Sequence, residues 1–126
     1  MDTDRELALY VTVYYCDLMT QQERLAYRHL TTTYKATGGR SDLAAQAEVR
    51  REGGVRARWL SEDTAVLTLA AEGLDGFRAR TARRILDEHR DQVFLNYCPR
   101  CGGLTRTPQA KLCLHCGHSW HHVAAG

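Results

Sequence analysis

Cys98-Pro99-Arg100-Cys101-Gly102-Gly103 is answered, after 11 residues between Cys101 and Cys113, by Cys113-Leu114-His115-Cys116-Gly117-His118. Each half is a Cys-x-x-Cys turn followed by glycine. The two-residue gap lets both sulfurs of a pair reach one ion near about 2.3 Å, and the glycine admits the positive φ that aims backbone N–H groups at sulfur. Two such halves complete a tetrahedral shell, so Cys98, Cys101, Cys113 and Cys116 are the predicted metal ligands. A module shorter than about 40 residues cannot bury enough apolar surface to fold alone; metal binding then supplies the folding free energy, roughly 10–16 kcal/mol in zinc-finger peptides. A catalytic zinc keeps one position open for water, whereas four thiolates close the shell. The predicted role of the metal is structural.

The paired Cys-x-x-Cys-Gly turns resemble the zinc-ribbon superfamily, including its rubredoxin-type knuckles, from Tyr97 to about His122. The resemblance implies a small C-terminal β ribbon with one Zn2+ per chain. Iron is the alternative ion, because rubredoxin-like electron carriers use the same knuckles. The short spacer most resembles the ribbon of rubrerythrins, whose di-iron centre needs Glu-x-x-His. Here the third residue after Glu6 is Leu9, after Glu23 is Ala26 and after Glu48 is Arg51. Zinc nucleobase deaminases place His-x-Glu before Pro-Cys-x-x-Cys, and no His-x-Glu occurs. Ribbons of the transcript-cleavage type carry acidic residues at the tip, but residues 98 to 126 contain none. No Gly-rich phosphate loop is present. The chain is thus expected to be no enzyme. His115, His118, His121 and His122 are substitute ligands that a four-cysteine shell does not need.

Composition sets the frame. The chain has 126 residues, 44% hydrophobic and 25% charged, enough for one modest core with an appendage. Its N-terminus has no basic region, and its longest apolar run, Leu7 to Cys16, is about half of the roughly 20 residues that span a bilayer. A cytoplasmic protein with no membrane segment is expected. Reduced thiols in that compartment favour metal over disulfides for the two pairs, leaving Cys16 as a small buried hydrophobe.

Upstream, Thr3 with Glu6 and Thr20 with Glu23 have the spacing of helix capping boxes. The first helix would carry Leu7, Tyr10, Val11, Tyr14, Tyr15 and Leu18 on one stripe, although the segment also fits strand alternation. The second buries Leu25, Ala26 and Leu30 and stops at Gly38-Gly39. A third starts from the cap Ser41, runs through Leu43, Ala44 and Ala47, and ends before Gly53-Gly54. Val55 to Gly73 reads as strand or helix. Asp75 to His89 is a helix with Phe77, Ala82, Ile85 and Leu86 inward and Arg78, Arg80, Arg83 and Arg84 outward. Val93, Phe94, Leu95 and Tyr97 read as a strand that fuses the metal module to the body. The expected fold class is α+β, with a helical domain over 1–92 and a small β zinc ribbon over 93–126.

Charge leaves two classes of partner open. Residues 98 to 126 hold Arg100, Arg106 and Lys111 without an acid, while the upstream part has 14 basic and 15 acidic residues. Four thiolates around a divalent ion net −2, so these cations can balance the site itself. The favoured function is a non-catalytic zinc-binding protein whose module supports interaction with a protein partner. The alternative is a nucleic-acid contact through Arg78, Arg80, Arg83, Arg84, Arg106 and Lys111, with Arg50 and Arg51 extending the face. Oligomeric state is open.

Overall fold

The computed structural model describes residues 3–120. Six helices form the body: α1 (Thr3–Tyr14), α2 (Gln21–Ala36), α3 (Leu43–Glu52), the single turn α4 (Gly54–Ala57), α5 (Thr64–Ala70) and α6 (Gly73–His89). Short 3-10 turns follow α1, at Cys16–Leu18, and α6, at Arg90–Gln92. No described helix is long and apolar enough to cross a membrane. The Thr3 side chain of the first expected capping box, and His121 and His122, lie outside the described residues.

Local chemistry accounts for the helix limits. The Thr20 hydroxyl accepts from Glu23 N–H at 3.1 Å, and the Glu23 carboxylate accepts from Thr20 N–H at 2.9 Å, so the capping box is complete. Asp42, not Ser41, caps α3, its carboxylate accepting from Ala45 N–H at 2.8 Å. Ser41 is committed elsewhere: its hydroxyl accepts from Leu74 N–H at 2.8 Å and so pins the start of α6. The open stretch from Val55 to Gly73 resolves into α4, a turn and α5, with Val66 and Ala70 facing inward.

Helix α6 packs against α1 and α2, and α2 in turn against α3 and α5. Val11, Leu30, Val66, Phe77 and Ile85 are the large apolar side chains of the shared core. On the opposite flank, buried His29 sits in a closed polar network. Its Nδ1 accepts from Ser61 N–H at 3.0 Å, its Nε2 meets Gln46 Oε1 at 2.8 Å, and Gln46 Nε2 donates to Ser41 O and Ala70 O at 3.1 and 3.0 Å. Cys16, expected inside, is exposed because its 3-10 turn lies beyond the buried face of α1.

The expected β ribbon is not present: among the described residues there is no strand or sheet, so the α+β class gives way to a helical body with an irregular C-terminal segment. Only isolated antiparallel bridges occur, Tyr97 with Leu104 and Leu112 with Ser119. The reason is how the backbone groups are spent. In the first turn Cys98 N–H donates to Gly103 O and Gly102 N–H to Cys98 O; beyond the bridge, the Asn96 side chain draws the carbonyls of Thr107, Pro108 and Ala110 inward. At each hairpin the pairing stops at a single bridge.

Candidate metal centre

The segment between α6 and the first cysteine is not a strand, yet it is firmly attached to the body. Tyr10 Oη donates to Phe94 O at 2.7 Å and accepts from Asn96 N–H at 3.3 Å, while Tyr15 Oη accepts from Phe94 N–H at 3.0 Å. Val93 and Leu104 join the core formed by the helices. These contacts place Cys98 at the edge of α1, and the two cysteine turns close against each other from there.

The turns have matching geometry. Gly102 N–H donates to Cys98 O at 3.0 Å and Gly117 N–H to Cys113 O at 2.8 Å; Cys98 N–H and Cys113 N–H donate to Gly103 O and His118 O, both at 2.8 Å. Gly102 and Gly117 adopt φ of +77° and +80°, the left-handed conformation expected of each knuckle. Arg100 and Cys101 N–H groups donate to Cys98 Sγ at 3.3 and 3.4 Å, and Gly103 N–H to Cys101 Sγ at 3.4 Å.

All four sulfurs lie within 4.8 Å of one another. Across the turns, Cys98 Sγ is 3.7 Å from Cys116 Sγ and Cys101 Sγ is 3.5 Å from Cys113 Sγ. A tetrahedron with metal–sulfur bonds near 2.3 Å has edges of about 3.8 Å, whereas a disulfide would need about 2.05 Å. The sulfurs therefore stand at the separation of ligands sharing one ion. As free thiols they would differ sharply. Burial raises Cys98, but N–H donors from Cys101 and Arg100 outweigh it and bring the thiol down to about 7. At Cys101 the Gly103 N–H lowers the value, while the bond to Cys113 and burial push it up to about 12. Binding a cation at such a centre displaces protons, which couples metal uptake to pH.

No family model, curated protein or solved structure matches this chain. His115 is turned from the sulfurs: its Nε2 lies 3.1 Å from Leu104 O and 3.7 Å from a Glu6 carboxylate oxygen. The His118 ring stacks on Trp120 with centroids 5.7 Å apart. Neither takes the place of a cysteine in the cluster.

The predicted contact residues are dispersed by their partners. Arg84, expected outward, reaches inward and grips Glu23 with Nε and NH2 at 2.6 Å each, while NH2 also donates to Leu18 O at 2.9 Å and NH1 pairs with Glu88. Its pKa is raised, first by the bond to Glu23. Arg80 pairs with Glu72, and the Arg78 guanidinium lies 5.9 Å from the centroid of Tyr27. Arg50 pairs with Glu62, whereas Arg83 and Arg106 are exposed and Lys111 is half-buried. The expected tip at Arg106 to Pro108 is clamped: Asn96 Nδ2 donates to Thr107 O, Pro108 O and Ala110 O at 3.1, 3.2 and 2.9 Å, and Thr105 Oγ1 donates to Asn96 O at 2.8 Å. Asn96 and the two tyrosines were missed as positioning residues. An asparagine between Leu95 and Tyr97 has no spacing signature, because its partners are backbone carbonyls more than ten residues away.

Proposed function

We propose that this is a non-catalytic zinc-binding protein of a reducing, cytoplasmic environment, in which one Zn2+ held by Cys98, Cys101, Cys113 and Cys116 fastens the C-terminal segment to the helical body and so supports a surface for a protein partner. The observation that carries the reading is the mutual approach of four sulfurs, all within 4.8 Å of one another and at tetrahedral-edge separations across the two turns. A closed shell of this kind gives the ion no room to bind and activate water. Its contribution is to cross-link residues 98 and 116, and through Tyr10 and Tyr15 to hold them beside α1.

Nucleic-acid binding is the less supported reading, because Arg50, Arg80 and Arg84 already face carboxylates, which interrupt the continuous basic face that a polyanion would select. Elemental analysis of the purified chain, with a visible spectrum, tests the main reading. One zinc per chain and a colourless solution are expected. Red colour from thiolate-to-iron absorption, or no bound metal, refutes it.

A further inference from the structure

Helix α1 is apolar on both sides. From Leu7 to Tyr14 it holds no charged residue. Ala8, Val11 and Thr12 are buried, and the Thr12 hydroxyl is turned back onto Ala8 O at 2.8 Å. The opposite side leaves Leu9, Val13 and Tyr14 exposed at 44%, 42% and 43%. A helix that is hydrophobic all round is normally covered all round. Here the outer side forms one wall of a cleft of about 670 Å3, whose other wall comes from the cysteine module through Leu104, Arg106, His115 and Leu114, the last 57% exposed.

We infer that this cleft is the docking groove for an amphipathic helix of another protein, one that carries both a basic and an acidic residue beside its apolar stripe. The inference rests on the protein-interaction reading above and assigns it a site and a partner chemistry. Three features of the groove select that occupant. The wall from Glu6 to Val13 spans eight residues, about 10 Å or two helical turns, which suits apolar side chains at i, i+4 and i+7. The backbone along the groove is already paired: α1 is a helix, Leu104 O is taken by His115 at 3.1 Å, and Thr105 N–H donates to Asn96 O at 2.9 Å. An added strand would find no ladder there, whereas a helix arrives with its own backbone satisfied. The polar groups are of both signs, with Glu6 on the α1 wall, its side chain still 40% exposed although one oxygen lies 3.7 Å from His115 Nε2, and Arg106 on the facing one, so the complement is a base and an acid rather than a uniform charge.

Among the described residues, the helices other than α1 expose at most one large apolar side chain each, Tyr34 on α2, Leu43 on α3 and Val55 on α4. A second copy could therefore enter only by laying its own α1 against this one, an isologous pairing that the dimer mass in the test below detects.

The test uses the full chain purified with its metal and three fluorescent synthetic peptides of equal length. One places Leu at i, i+4 and i+7 with Lys and Glu on opposite flanks, one scrambles that order, and one breaks the helix with a central Pro. Anisotropy should show saturable binding of the first alone. Val13→Asp and Leu114→Asp should each weaken it by about tenfold, the loss usual for one apolar anchor. Arg106→Glu should weaken it too, and replacing the peptide's Glu by Lys should restore binding to that variant, an outcome that misfolding cannot produce. Equal binding of all three peptides, no binding of the first, a concentration-dependent dimer mass, or preference for phosphatidylserine vesicles overturns the inference. Zinc content measured on the same samples separates the two readings: one zinc per chain without peptide binding refutes the groove alone, and peptide binding without zinc refutes the metal centre alone.

Discussion

Replacing His29 by Leu tests whether the buried polar network is neutral and fully satisfied. Because Nδ1 accepts from Ser61 N–H, the proton must sit on Nε2, where it is donated to Gln46 Oε1; the Gln46 amide then points its NH2 at Ser41 O and Ala70 O. Leucine removes both bonds of the ring and orphans Ser61 N–H and Gln46 Oε1. Each such group costs about 1–3 kcal/mol, so a loss of about 2–6 kcal/mol follows, a large share of the roughly 5–15 kcal/mol available to a small domain. The pH arm is sharper. Burial holds the His29 imidazole below its ordinary value of 6.5, so the folded chain binds fewer protons at this site than the unfolded chain. Its contribution is therefore complete above about 6.5 and is lost as pH falls from there toward the lower folded value, with a limiting slope of about 1.4 kcal/mol per pH unit. Urea denaturation of both proteins between neutral pH and pH 5 should show the stability gap narrowing on acidification, while other histidines and the metal ligands cancel in the difference. Parallel stability curves would mean that His29 is not held neutral, and a gap below about 1 kcal/mol at neutral pH would mean that the network is not buried as described.

Three other perturbations address separate parts of the chain. Arg84→Lys should destabilise the fold by about 1–3 kcal/mol, since an ammonium cannot reproduce the two-pronged grip on Glu23, which is 7% exposed, and also reach Leu18 O; thermal unfolding checks this. Cys113→Ser should abolish stoichiometric zinc binding yet keep most of the helical circular dichroism, because Leu30, Phe77 and Ile85 belong to a core built on α1, α2 and α6; global loss of helix would show that the parts fold as one unit. Asn96→Ala should free the carbonyls of Thr107, Pro108 and Ala110 and raise amide exchange over 105–110 with zinc stoichiometry unchanged, an outcome read by hydrogen-exchange mass spectrometry.

What was legible in the sequence was chemistry that acts over a few residues. The Thr20–Glu23 box, the stops at Gly38 and Gly53, and the Cys-x-x-Cys-Gly turns are all local, and all are found as expected. Long-range second roles were not legible. Glu23 is both a cap and the partner of Arg84, 61 residues away, so a helix pattern that turned Arg84 outward missed it. Ser41 has the composition of a cap but serves α6, leaving the cap to Asp42. The ribbon expectation failed for a related reason: spacing locates the cysteines but not the course of the backbone between them, where Asn96 holds the carbonyls of Thr107, Pro108 and Ala110 through bonds that lie outside any short motif.

The attachment of α1 also has a consequence in time. Tyr10 is held by Phe94 and Asn96, and α1 packs on α6, so the helix made earliest among these elements is completed by those made last. At a synthesis rate of about 5–20 residues per second, the 63 residues from Tyr15 to Phe77 take roughly 3 to 13 seconds to follow. During that interval α1 lacks its α6 partner, which leaves the apolar run from Leu7 to Tyr14 open to chaperone capture or aggregation.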